Sequence, residues 1–167
     1  MPSNLPDLST LCDILIVGAG PAGTAAAITA VRQGLNVTII DKAVFPRDKC
    51  CGDGLTTLAL RELEKLRFDP ATVPSWTDID AAWLRSPSGR ELRLPMPNNG
   101  KFAAVTPRVE LDNALVIQAR SEGVTIVEDG TSESMAVNSE SVCVSVNLKN
   151  TPQQITASWV IAADGMW

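Results

Sequence analysis

Ile14-Leu15-Ile16-Val17-Gly18-Ala19-Gly20-Pro21-Ala22-Gly23 decides how this chain is read. Its first four residues form a short, continuous apolar run ending in glycine, the pattern of a central parallel strand buried on both faces. A helix is predicted from Pro21 through Ala25, Ala26, Ala27, Ile28 and Val31, with Gly34 suited to the left-handed position just after a helix end. A second strand is expected over residues 36–41, with Val37, Ile39 and Ile40 as its apolar body. Strand, helix and strand within about thirty residues make a βαβ unit.

Gly18, Gly20 and Gly23 fit the pattern G-x-G-x-x-G, which is weak alone and gains force from lying between a buried strand and a helix. In that setting the first glycine permits a tight turn, the second lets a pyrophosphate approach the backbone, and the third allows close helix–strand packing. Unpaired N–H groups and the positive end of the helix dipole then stabilise a diphosphate with no basic side chain. An ordinary glycine turn is the plainer alternative. Asp41 closes the second strand near the offset at which a carboxylate takes the ribose hydroxyls of an adenine dinucleotide, with Lys42 beside it. A carboxylate there repels a 2′-phosphate, which favours FAD or NAD over NADP. A helix cap or a solvated strand end is the alternative role for Asp41.

Farther along, residues 43–53 form a polar, Pro-containing loop, and a helix is predicted over 55–67 with Leu55, Leu58, Leu63 and Leu66 near one face. Residues 79–85 and 91–94 flank Pro87-Ser88-Gly89, which reads as a hairpin. A short strand is expected over 102–105. Thr106-Pro107 then reads as a cap followed by proline at the first helical position, for a helix running to Glu122 and stopping at Gly123. A strand over 124–128 precedes a β-meander over 132–163, marked by alternating Val142, Val144 and Val146. The expected fold class is α/β: a Rossmann-like domain over 11–167 with a parallel sheet plus an antiparallel meander, behind a loose tail over 1–10.

Composition removes several functions. The 167 residues carry 14 Lys+Arg against 19 Asp+Glu, a formal charge of −5 with no basic stripe, so nucleic acid is a poor partner. Histidine is absent, which excludes His-based triads, His metal ligands and the usual near-neutral proton shuttle. Cys12, Cys50, Cys51 and Cys143 include no CxxC pair, so no metal site is expected and the thiols read as reduced, in a cytosolic protein. The uncharged run 14–31 is broken by Gly18, Gly20, Pro21 and Gly23, which argues against a membrane span.

The segment Phe45-Pro46-Arg47-Asp48-Lys49-Cys50-Cys51-Gly52-Asp53-Gly54-Leu55 resembles the geranylgeranyl reductase family of FAD-dependent oxidoreductases, whose members carry Cys-Gly-(Asp/Glu)-Gly-Leu after the second strand. Flavin halogenases and aromatic-ring hydroxylases share the wider fold. Thr106-Pro107-Arg108-Val109-Glu110-Leu111-Asp112 is similar to the family's Arg-containing helix start, and Val160-Ile161-Ala162-Ala163-Asp164-Gly165 to its Ala-Asp-Gly strand end. The resemblance implies an FAD diphosphate on Gly18, Ala19, Gly20, Pro21, Ala22 and Gly23, with the adenosine ribose on Asp41. It further implies Cys51, Gly52 and Asp53 near the flavin end, Arg108 hydrogen-bonded to the cofactor, and Asp164-Gly165 near the diphosphate. The family more often has Glu where Asp41 stands, and Cys50 is an additional thiol. A surface ion pair with Glu110 or Asp112 is the alternative for Arg108, and a buried inert thiol is the alternative for Cys50 and Cys51.

The function so implied is reduction of C=C bonds of prenyl chains in a lipid or quinone precursor, with electrons from NAD(P)H or a ferredoxin-like donor. No catalytic acid is identified. Family members run to about twice this length or more, so the chain is expected to stop before the substrate-binding region and to be inactive alone. The substrate's membrane solubility allows peripheral membrane contact by the parent protein. A flavin monooxygenase or halogenase, and a non-catalytic nucleotide-binding module, remain open. A plain NAD dehydrogenase is disfavoured, because its sheet continues with helix-linked parallel strands where this chain has a meander.

Overall fold

The computed structural model describes residues 11–165, so the loose tail expected over 1–10 lies outside the described residues. In chain order the elements are β1 (Cys12–Val17), α1 (Pro21–Val31), β2 (Val37–Ile40), β3 (Gly54–Leu55), α2 (Thr57–Lys65), β4 (Thr77–Asp78) and β5 (Ala81–Arg85). They continue with β6 (Glu91–Pro95), β7 (Ala104–Val105), α3 (Arg108–Ser121), β8 (Thr125–Val127), β9 (Gly130–Val137), β10 (Val142–Leu148) and β11 (Thr151–Ala162). The chain divides into two compact units, the second being Asp48–Ala114 and the first everything on either side of it.

The first unit is built on a six-stranded sheet in the order β8-β2-β1-β11-β10-β9. Strands β8, β2, β1 and β11 run parallel, and β10 and β9 continue the sheet antiparallel. All four residues of β2 are buried, as a strand covered on both faces requires. Strand β11 serves two pairings: residues up to Ala157 face β10, and from Ala157 onward it lies beside β1, with Cys12 opposite Ala157 and Val17 opposite Ala162. One apolar cluster joins the parallel strands to the meander, with Leu15 and Ile40 packed among Val144, Val146, Leu148 and Ile155. Each such fully buried side chain stabilises the fold by about 1.5–3 kcal/mol before entropy is counted. The expected combination of parallel sheet and meander is the observed one, with boundaries shifted by one or two residues.

The second unit holds a small antiparallel sheet, β3-β7-β4, and the separate hairpin β5–β6. The hairpin turns where Pro87-Ser88-Gly89 predicts, closed by the Gly89 N–H donating to the Ser86 carbonyl at 2.9 Å. Two expectations are corrected here. The helix predicted from Leu55 starts at Thr57, because Leu55 pairs with Ala104 in the sheet and the Thr56 hydroxyl accepts from the Ala59 N–H. It ends at Lys65, ahead of Arg67 at φ +53. The cap of α3 is also not Thr106, whose buried hydroxyl has no hydrogen-bond partner. The Arg108 N–H instead donates to the Asp53 carboxylate at 3.2 Å, so a residue distant in sequence supplies the acceptor that the local pattern assigns to Thr106.

Candidate functional site

The glycine loop joins the end of β1 to α1, and its conformation is imposed by its neighbours. Gly18 has φ +105, and a Cβ there would lie 2.4 Å from the Ala163 carbonyl oxygen, so the turn into the loop and the approach of the β11 end both require glycine. A Cβ at Gly23 would lie 1.8 Å from the Gly18 carbonyl oxygen and 3.3 Å from Ile16 Cγ2, the helix–strand closeness anticipated for the third glycine. Gly20 is the N-cap of α1 and offers no side-chain acceptor, and no acidic residue stands in the first turn. The first turn of α1 thus carries no side-chain acceptor of its own for its N–H groups.

Asp41 follows β2 and is buried, at 9 % exposure. Its Oδ2 accepts the Ala19 N–H at 2.7 Å and its Oδ1 accepts the Ala43 N–H at 2.8 Å. Its main chain is tied as well: the Asp41 N–H donates to the Val127 carbonyl at 3.0 Å, and its carbonyl accepts the Gly130 N–H at 2.9 Å. One residue thus links the glycine loop, the exit of β2 and the start of β9.

A cleft of about 230 Å³ opens at the carboxyl ends of β1, β2 and β11. The structure brings together in its lining Gly18, Asp41, Lys42, Asp164 and Gly165, all anticipated, together with Gly130, Thr131 and Ser132, which were not. The Asp129-Gly130 pair just after an apolar strand was the available signal for that addition, since such pairs mark turns at strand ends. The carboxyl ends of strands in an open α/β sheet are where ligands bind.

Cys51, Gly52, Asp53 and Arg108 belong to the second unit. Cys50 and Cys51 are exposed, so neither is the buried inert thiol of the alternative reading. The Cys51 thiol is held below its ordinary value, chiefly by the Asp53 backbone N–H and next by the Arg108 guanidinium. Arg108 is itself held from the side: Nε and Nη2 donate to the two carboxylate oxygens of Asp112 at 2.7 and 2.8 Å. Asp112 is fully buried, and its carboxylate raises the guanidinium above its usual value. Arg108 therefore makes the ion pair with Asp112 that stood as its alternative role, in a partly buried setting.

The arrangement suits a dinucleotide: a helix N-terminus with no side-chain cap and a glycine entrance that admits no Cβ for the diphosphate, and a carboxylate on Asp41 beside the Lys42 ammonium for the ribose hydroxyls. The FAD binding domain family matches residues 11–167. The chain is 36% identical over 163 residues to the menaquinone reductase of Mycolicibacterium smegmatis, covering 95% of this chain and 38% of that protein. It is 34% identical to the digeranylgeranylglycerophospholipid reductase of Methanoculleus marisnigri, covering 92% of this chain and 38% of that protein. Among solved structures, a geranylgeranyl bacteriochlorophyll reductase-like protein of Thermoplasma acidophilum superposes with a TM-score of 0.78 at 24% identity, over 93% of this chain and 39% of that one. The chain thus spans less than half the length of the relatives it matches.

Proposed function

Because this chain belongs to the FAD binding domain family, we propose that it is the FAD-holding part of a flavin-dependent reductase that saturates isolated C=C bonds of prenyl chains in a lipid or quinone precursor. The cleft at the strand ends, where Gly18, Asp41, Lys42, Asp164 and Gly165 converge, is the observation that carries this reading. Gly18 to Gly23 and the start of α1 receive the diphosphate, Asp41 and Lys42 the adenosine ribose, and Asp164 with Gly165 the diphosphate region. Roles for Cys51, Gly52 and Asp53 at the flavin end, and for Arg108 as a cofactor donor, rest on the sequence resemblance alone. Bound FAD supplies hydride and electron transfer, and the chain's own part is to bind and orient it.

Electrons come from NAD(P)H or a ferredoxin-like donor. The protein acts in the cytoplasm with peripheral contact to the membrane in which a prenyl substrate dissolves; among the described residues no helix is long and apolar enough to cross one.

The first test is the visible spectrum of residues 1–167. Flavin bands at about 450 nm, a property of the cofactor, support the reading, and a folded, colourless chain that takes up no added FAD overturns it in favour of a non-catalytic module. The second test gives a prenylated quinone and a reductant to the longer protein containing this chain. Product heavier by two hydrogens per saturated bond supports a reductase, whereas oxygen-dependent hydroxylation or halogenation identifies an oxygenase.

A further inference from the structure

The hairpin β5–β6 stands outside the cofactor reading. Its register sets Ala82 opposite Leu94 and Leu84 opposite Leu92, so these four residues share one face, while Trp83 opposite Arg93 and Arg85 opposite Glu91 share the other. Leu84, Leu92 and Leu94 are 55, 55 and 43 % exposed, and Trp83 is 65 % exposed. Among the described residues the hairpin gains no third strand. Two strands with a bare apolar face are marginal in water, and a contiguous apolar patch marks a surface that something covers.

Charge selects the partner. Residues 81–95 hold Arg85, Arg90 and Arg93 against the single acid Glu91, in a chain whose formal charge is −5. Arg85 meets Glu91 only at 3.7 Å and Arg93 reaches Asp80 at 3.0 Å, whereas among the described residues the Arg90 guanidinium beside the turn has no ion-pair partner. A second copy seated face to face on the same hairpin would bring these arginines against their own kind. A bilayer with anionic lipids offers hydrocarbon for the leucines and phosphate for the guanidinium groups together, and arginine stems lie along apolar surface while their heads stay at the phosphates. The open strand edges need water for their N–H and C=O groups, which keeps the hairpin at the boundary of headgroups and acyl chains and out of the hydrocarbon centre. An indole such as that of Trp83 suits the same depth.

We propose that the β5–β6 hairpin lays its leucine face on an anionic lipid surface, with Leu84, Leu92 and Leu94 at the acyl boundary and Arg85, Arg90 and Arg93 on lipid phosphates. The inference rests on the reading of a prenyl substrate dissolved in a membrane, and it names the surface by which the protein reaches that membrane.

The test sediments the 1–167 chain, supplied with FAD, with vesicles of phosphatidylcholine alone and with vesicles containing about 30 % phosphatidylglycerol. Binding is expected on the anionic vesicles, weaker by at least about fivefold on the neutral ones and reduced by salt. Leu84→Ser with Leu92→Ser should weaken binding about tenfold or more, and Arg90→Glu about fivefold on the anionic vesicles alone. All three side chains are exposed, so the melting temperature and the bound flavin absorbance should stay those of the unsubstituted chain. The proposal is overturned if neither vesicle carries the chain down, if binding survives the paired leucine substitution, or if neutral and anionic vesicles bind alike. It is also overturned if the longer protein containing this chain ignores vesicles that 1–167 binds, since another part of that polypeptide then covers the hairpin. Vesicle binding by a chain that takes up no FAD upholds the proposal and overturns the cofactor reading; flavin uptake without vesicle binding does the reverse.

Discussion

The carboxylate of Asp41 holds the backbone N–H of Ala19 at 2.7 Å, so an acidic side chain at the end of one strand fixes the glycine loop at the end of its neighbour. The second carboxylate oxygen holds the Ala43 N–H at 2.8 Å. Asparagine can accept only one of these bonds and turns an NH₂ group toward the other N–H. Asp41→Asn should therefore destabilise the chain by about 1–3 kcal/mol and weaken FAD binding by about tenfold or more, since the loop loses its strut. Urea unfolding and fluorescence titration with FAD read the two effects separately.

Gly23 and Gly34 should respond to alanine very differently. A Cβ at Gly23 would lie 1.8 Å from the Gly18 carbonyl oxygen, whereas nothing lies within 4 Å of one at Gly34. Gly34→Ala should cost only the penalty of φ +84, about 1–2 kcal/mol. Gly23→Ala must push the helix off the loop, and we expect a loss above about 4 kcal/mol, with FAD uptake abolished. Thermal melts of the two variants provide the comparison.

The Arg108–Asp112 pair gives a third expectation. Arg108→Met leaves the buried carboxylate of Asp112 without its doubly bonded partner, which should cost about 3–5 kcal/mol. The double substitution Arg108→Met with Asp112→Leu should recover most of that loss, because the buried charge is gone. Chemical denaturation of both variants checks it.

Burial pushes the Cys12 thiol above its ordinary value. The unfolded chain then gives up this proton at lower pH than the folded chain does. Stability from this group is intact below about pH 9, the ordinary thiol value, and falls as the pH rises from there toward the raised folded value. Urea midpoints at pH 8 and pH 10 should differ less for Cys12→Ala than for the unsubstituted chain.

The βαβ unit was legible because each of its signals is local and strong: an unbroken apolar strand, a glycine pattern at the turn, and a second apolar strand ending in Asp41. Strands β3, β4 and β7 were harder, since two residues carry no periodicity, and Leu55 was drawn into a helix by its apolar spacing. Thr106 satisfied the local rule for a cap, yet the acceptor came from Asp53, whose proximity is a product of the fold. For the same reason Thr131 and Ser132 were missed as lining of the cleft while Asp164, carried by a motif, was found. The residues legible in advance were those whose role follows from their immediate neighbours in the chain.

Strand β11 has a consequence for how the molecule is made. It fills the place beside β1, so the first strand of the sheet pairs with one about 145 residues later, Cys12 with Ala157. Until residues 151–162 leave the ribosome, β1 presents an open edge on the side that β11 will occupy, and edges of that kind recruit foreign strands. The parallel half of the sheet therefore closes only when almost the whole of this stretch has been translated.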